Sequence, residues 1–481
     1  MGIKLDWEIE AEQNTYKAGE APEAARARRI ARLRLLMLVI VLLAIFGGVA
    51  ALLNWRLREV QRQQEQLLRD VVDTEITNLR LGNFEDFYEL QRSGDVGWMD
   101  ARRQVFDDYQ ALLLRSNVQL TGNIKDIVID DLRARVRVEE IVDGVPYELI
   151  WFYFRYPDDG PDDDDNDGKA FNGPDEVDEL IDGWRRVPPD YTFWGETETL
   201  QAGTVNVSYR QVDKPFARSL ADNLAAWFAL TCEALTCSPV PSLQVNVVAE
   251  NGAQLAWADE TAWRLTIPSP FLGQARADLP FTPEMQIQAA NLVAERLVNE
   301  VGRNVIPLPR TDAAYLRGAV VAWLVGRMVQ IDAGSYLIDS LATNYGEGAV
   351  GQLIRALLPD SSIAILSSIT GVSTLDQMPL DWRDFFTWRL NTESELIAVG
   401  DSQGFLNLYD VGDPAVYALA SARYNANLPA EPMVVSLVSP AEPGANGAPQ
   451  RSATVQIGAE GSLREETVLF RLIDNVWRRA S

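Results

Sequence analysis

Asp163, Asp165, Asp167 and Gly168 spell D-x-D-x-D-G, a spacing that turns alternate carboxylates toward one centre and puts glycine where the backbone must bend sharply. That is the front half of a calcium loop. The back half departs from it: position twelve is Pro174, where a bidentate Glu belongs, and Glu176 comes two residues late. The segment reads either as a hairpin tip ordered by calcium on Asp163, Asp165 and Asp167, or as a solvated acidic loop. Other groups able to do chemistry are few. The 481 residues include no histidine, which excludes a histidine-bound zinc, a Ser-His-Asp triad and a Cys-His pair. Beyond the N-terminal region the only lysines are Lys125, Lys169 and Lys214, and none falls in a nucleophile motif. Cys232 and Cys237, in TCEALTC, lack a redox spacing and are too few for a zinc site. They read as a disulfide, closing a short loop for about 2 kcal/mol.

The elements that carry these residues begin with a membrane anchor. Leu35 to Leu53 is a run of nineteen uncharged residues. As a helix it spans about 28 Å, enough for a bilayer core. Arg26, Arg28, Arg29, Arg32 and Arg34 precede it and Arg56, Arg58 and Arg62 follow, so the positive-inside rule predicts a cytoplasmic N-terminus and an extracytoplasmic remainder. That compartment permits the disulfide. Residues 1–34 hold seven Lys or Arg and six Asp or Glu, so the net charge of −26 becomes −27 without them. Such a surface repels phosphate backbones, which argues against nucleic acid as a partner. From Asn54 to Asp73, Leu57, Val60, Leu67 and Val71 form a short heptad seam interrupted by Gln64.

Two distant segments read alike. FYFRYP, an acidic stretch and DGWRRV (Asp182 to Val187) are echoed by LFRLIDNVWRRA (Leu469 to Ala480). Upstream, GNFEDFYEL (Gly82 to Leu90) aligns with GFLNLYDV (Gly404 to Val411), pairing Phe84 with Phe405 and Tyr88 with Tyr409. Both copies predict helix, helix, then strands. Arg135 to Glu139 and Tyr147 to Tyr156 have strand patterning, with Asp143-Gly144 as the hairpin turn; Ala453 to Ile457 and Glu466 to Ile473 take the same places in the second copy. A helical pair followed by an antiparallel sheet ending in a W-R-R strand resembles the nuclear-transport-factor-like (SnoaL-like) cone fold. The resemblance implies a cone that can enclose a small-molecule pocket. Trp151, Phe152, Tyr153, Phe154 and Tyr156 would line it or fill its core.

Between the copies, Val205 to Arg210 predicts a strand, Pro215 to Leu230 a helix, Leu243 to Ala249 and Ala262 to Ile267 strands, and Pro283 to Arg303 a long helix. This order resembles the gluzincin zinc peptidases, the thermolysin-like group, in which one helix carries H-E-x-x-H and a later helix brings the third metal ligand. The corresponding residues are Ala294, Glu295, Arg296, Leu297 and Val298, then Gly318 within YLRGAVVAW. The resemblance therefore implies a peptidase-like domain that has lost all three zinc ligands and keeps only the Glu. Glu295 is then either a helix-surface carboxylate or a buried one tied to Tyr315 or Arg317. GEGAVG, Gly346 to Gly351, follows a predicted helix, so it reads as a helix-helix turn and not as a dinucleotide loop.

The expected fold class is α+β multidomain: one N-terminal transmembrane helix and two cone-shaped α+β domains around a mostly helical zinc-peptidase-like domain. The expected boundaries are a cytoplasmic tail 1–34, transmembrane helix 35–53, stalk 54–73, first cone 74–200 with the acidic insertion 157–181, peptidase-like domain 201–393 and second cone 394–481. The expected function is that of a membrane-anchored pseudopeptidase. It has no catalytic residue and no zinc, with calcium the one cofactor in question, and it binds a peptide, protein or envelope component. The competing expectation is a small-ligand receptor or enzyme using a cone pocket, with the middle domain purely structural.

Overall fold

The computed structural model describes residues 22–156, 183–237, 241–259, 262–426, 431–444, 447–458 and 463–481. The chain is a mixed α/β protein with two compact units. One comprises the described residues up to Arg115 with Gly122–Val136 and Trp151–Pro188; the other comprises Ser116–Thr121, Arg137–Ile150 and Pro189–Ser481.

The first unit starts with helix α1 (Pro22–Leu81), 60 residues without an internal proline. At 1.5 Å per residue it is roughly 90 Å long. It is the one helix among the described residues long and apolar enough to cross a membrane. Its apolar run is exposed on every face, as a lipid-facing helix must be, and Trp55 stands exposed just beyond it. Further on the helix becomes one-sided: Leu68, Val72, Ile76 and Leu79 are buried while Leu57, Val60 and Leu67 of the heptad seam are exposed. Gly82, at φ +72°, ends it. Helices α2 (Phe84–Glu89) and α3 (Val96–Arg115) follow, then strands β1 (Val118–Asp130), β2 (Arg133–Val142), β3 (Val145–Tyr156) and β4 (Gly183–Val187). Asp143 and Gly144 both have positive φ, the geometry of a tight two-residue turn between β2 and β3. In the first unit Phe152–Tyr156 pairs antiparallel with β4.

The second unit has a mixed sheet of strands β5 (Thr197–Ala202), β6 (Val205–Arg210), β7 (Leu243–Val248), β8 (Ala256–Trp257) and β9 (Arg264–Pro268), in the order β5-β6-β7-β9-β8. Strands β6, β7 and β9 run parallel. The β6 to β7 crossover is helix α4 (Lys214–Leu235), whose apolar face (Leu220, Leu224, Trp227 and Phe228 among others) is buried. Cys232 and Cys237 form a disulfide, Cα to Cα 4.8 Å, around the left-handed residue Thr236 that ends α4. Strand β10 (Gln274–Arg276) pairs with Tyr147–Leu149 of β3.

Helices α5 (Pro283–Val301), α6 (Asp312–Val329), α7 (Tyr336–Tyr345), α8 (Glu347–Ala356) and α9 (Ile365–Thr370) come next. Thr282 and Thr311 cap α5 and α6 by accepting the amides of Met285 and Ala314. GEGAVG opens on the α7–α8 turn and continues into α8: Gly346, between the helices, has φ +85°, and a Cβ on Gly351 of α8 would meet the Leu235 carbonyl oxygen at 2.9 Å. Its glycines permit a turn and a close helix approach, as the sequence context implied.

Helix α10 (Arg383–Ala398) runs unbroken from this helical region into the last one, which holds α11 (Ser402–Asn407), α12 (Pro414–Ala426) and strands β11 (Met433–Val438), β12 (Glu442–Pro443), β13 (Pro449–Ile457), β14 (Arg464–Ile473) and β15 (Val476–Arg479). The sheet order is β11-β13-β14-β15, with β12 on β13. Phe386 of α10 stacks on Phe470 of β14 with ring centroids 4.0 Å apart, and Trp382 and Trp477 meet edge to face. At the same end α10 holds Asp384 against Tyr315, and Asp384 accepts the Leu337 amide at 3.1 Å. Burial pushes the Asp384 carboxyl up to about 6.

A carboxyl raised in the folded state contributes stability that is complete below its unfolded value near 3.8 and is lost as pH rises through about 6. Asp384→Asn keeps an acceptor for Leu337 and removes the charge. Urea melts should show the variant matching the parent near pH 4 and exceeding it by about 1 to 3 kcal/mol at pH 7. Parallel curves across that window would place the ionisation elsewhere.

Candidate functional site

The first unit encloses a carboxylate. Glu75, on the buried face of α1, is 0% exposed, and three side chains satisfy it: Arg186 of β4 through Nη1 at 2.7 Å, the Tyr153 hydroxyl at 2.7 Å and the Gln91 amide at 3.2 Å. Arg186 also lies over the Trp151 ring, 4.0 Å from its centroid. Burial, and then the neighbouring Arg186, pull the Arg102 guanidinium down to about 10, which leaves it charged at neutral pH. Burial, and then Glu75, push the Tyr153 phenol well up, so it stays a donor to the carboxylate.

The last region repeats this arrangement. Glu393 of α10 is 3% exposed; Arg479 of β15 donates Nη1 to both its oxygens, at 2.8 and 2.9 Å, and Arg423 of α12 donates Nη2 at 3.2 Å. Arg186 pairs with the Gln91 backbone and Arg479 with that of Tyr409. The flanking bonds match as well: Arg186 N to Leu90 O and Arg92 N to Arg186 O, against Arg479 N to Leu408 O and Asp410 N to Arg479 O.

These bonds correct the helical part of the repeat. Pairing Phe84 with Phe405 and Tyr88 with Tyr409 is three residues out of step. The backbone sets Gln91 against Tyr409, hence Phe87 against Phe405, Gly82 against Gly400 and Glu75 against Glu393. Asp95 and Asp413 then match too, each accepting the amide two residues on, Gly97 at 2.9 Å and Ala415 at 3.0 Å. Aromatic spacing misled because a three-residue slip is almost one helical turn and keeps rings on one face. A better signal was present: TEITNLRLG (Thr74 to Gly82) against TESELIAVG (Thr392 to Gly400).

The copies differ in what surrounds the carboxylate. Aligned by Trp-Arg-Arg, β4 and β15 place Trp151 opposite Val468 and Tyr153 opposite Phe470. In the second copy a cavity of about 290 Å³ opens beside Glu393, with Arg423 and Arg479 at its charged wall, Met433, Ile457 and Val468 among its apolar lining, and Glu431, Arg464 and Glu466 also on it. Arg464 pairs with Glu431 at 2.7 Å and with Glu466 at 3.3 Å.

Elsewhere the residues singled out by sequence do not converge. Ala294 and Val298 lie on the buried face of α5, 0% and 2% exposed, whereas Gly318 of α6 is exposed with open space where a Cβ would stand. Glu295 is an exposed helix-surface residue. Tyr315 packs its ring on Phe385 and Trp388, and Arg317 donates to Asn299 at 2.6 Å. The neighbouring Arg296 lies over the Trp257 ring, 4.3 Å from its centroid. Asp163, Asp165 and Asp167, the calcium-loop candidates, lie outside the described residues.

Glu75 and Arg186 provide a test of the frame. Arg186→Met leaves a fully buried carboxylate with only Tyr153 and Gln91, at a cost of about 3 to 5 kcal/mol. Adding Glu75→Leu removes the stranded charge, and thermal unfolding should recover more than half of that loss. Additive losses in the double variant would show that the pair does not act as a unit. No protein-family model, no curated protein and no solved structure matches this chain.

Proposed function

We propose that this is a membrane-anchored protein whose folded units lie outside the cytoplasm, and that it works by binding and not by chemistry, through the pocket beside Glu393. The observation that carries the reading is the contrast between two places. The pocket is open, charged at its inner wall and apolar on its sides, the combination that orients and holds a small ligand. The α5 face at the former zinc-ligand positions is buried alanine and valine, with Glu295 out in solvent.

The two flanking regions are read as cone folds of the nuclear-transport-factor-like kind, the first plugged and the second open. The middle is read as a gluzincin-like domain kept as structural mass. Support for the cones is the shared order of helices, sheet and Trp-Arg-Arg strand, together with the matching buried Glu. Support for the anchor and its orientation is the exposed apolar run of α1, the arginine excess before it and Trp55, an amphipathic ring suited to a membrane interface, at its end. The disulfide fits an oxidising compartment.

Two experiments test the proposal. With intact cells, an impermeant phosphine followed by an impermeant maleimide should label Cys232 and Cys237; labelling only after permeabilisation would put these regions in the cytoplasm. For the pocket, a thermal-shift screen of small molecules should use the full chain in nanodiscs beside Val468→Trp, which places an indole in the cavity. Stabilising compounds should lose their effect in the variant. Hits indifferent to Val468→Trp, or a peptidase activity abolished by Glu295→Gln, would overturn the reading.

A further inference from the structure

The two ends of the pocket differ in charge and in screening. At the inner end one buried carboxylate, Glu393, faces two guanidiniums. Arg479 is largely committed, with Nη1 on both carboxylate oxygens and Nε on the Ser481 carbonyl at 2.6 Å. Arg423 is not: it reaches Glu393 through Nη2 alone, and its Nε is buried without a hydrogen-bond partner among the described residues. The inner wall therefore carries one surplus positive charge.

At the mouth the balance reverses, with Glu431 and Glu466 around the single Arg464, but those side chains are about half exposed, at 48%, 52% and 56%. Glu393 and Arg479 are buried, at 4% and 7%, and Arg423 stands between them and the mouth at 35%. Water and salt screen the mouth charges most, so the inner surplus weighs more in which ligand charge is favoured. Met433, Ile457 and Val468 line the pocket with apolar surface. About 290 Å³ is at the small end for ligand cavities. In the first copy Trp151 stands at the Val468 position, and Val105 stands where the helical register puts Arg423, the second guanidinium beside the carboxylate coming instead from Arg102, one turn earlier.

We infer that the pocket takes a small monoanion with a compact apolar body, a short-chain or aromatic carboxylate. The carboxylate lies against the Arg423 guanidinium, whose planar fork suits it, and the body lies on Met433, Ile457 and Val468. This assignment rests on the pocket being the binding site.

The test is calorimetric titration of the full chain in nanodiscs of zwitterionic lipid with hexanoate, hexylamine and hexanol, probes of one length and three charges. Hexanoate should bind saturably and at least tenfold more tightly than hexylamine or hexanol. Arg423→Gln should weaken it at least tenfold, Arg423→Lys only a few-fold, and Val468→Trp should abolish it, with melting curves confirming that each variant folds. If hexylamine or hexanol binds as tightly as hexanoate and Val468→Trp removes that binding, the anion assignment fails and the pocket stands. Hexanoate binding that survives Val468→Trp sinks both. If none of the three probes binds the parent, the ligand class is wrong.

Discussion

A carboxylate held inside the protein by the arginine of the last strand is the interaction on which both repeated regions depend. Glu75 and Glu393 are almost completely out of water, and Arg186 and Arg479 reach them from β4 and β15. A charge so placed costs several kcal/mol in desolvation and is tolerated only with a full set of partners in good geometry. The consequence is positional. The helix cannot rotate, nor the strand slip by a residue, without stranding a charge, since alternate strand residues face opposite sides of the sheet. The backbone bonds at Gln91 and Tyr409 secure the same register from the other side.

One frame then supports two outcomes. In the first copy the carboxylate is saturated by Tyr153 and Gln91 and the indole of Trp151 packs under Arg186, so the interior is occupied by protein. In the second, Phe470 has no hydroxyl to offer, Val468 is small, and Arg423 enters from α12. There a cavity remains. Burial, and then Glu393, push the Tyr409 phenol up from its ordinary value.

The middle region serves this site indirectly through α10. Its first turns are fixed by Trp382, Phe385 and Phe386 in a cluster with Tyr315, Trp477 and Phe470, and by Asp384 on the Leu337 amide. Two turns later the same helix delivers Glu393. A rigid helix anchored in one apolar cluster can place a charged group to within the tolerance of a hydrogen bond, which a loop cannot. Ala294 and Val298 of that region are part of its buried core.

Much of the element order was legible in the chain because it rests on local physics: the apolar run of α1, the strand alternation at β3 and β14, the Asp143-Gly144 turn, the disulfide pair and the Gly346 turn are each decided by residues near one another in sequence. The Trp-Arg-Arg repeat was legible for the same reason, as was the absence of imidazole chemistry. The site was not. Glu75 and Glu393 look like ordinary helix-surface carboxylates until a strand 111 or 86 residues later lays an arginine on them. Whether Trp151 and Val468 fill or open the interior depends on side-chain volume summed across several elements. Even the register of the repeat was settled by hydrogen bonds between segments far apart in the chain. Composition and local pattern determined which elements form and which chemistries are excluded; only tertiary packing decided which of 69 acidic residues lose their water and gain arginines in its place.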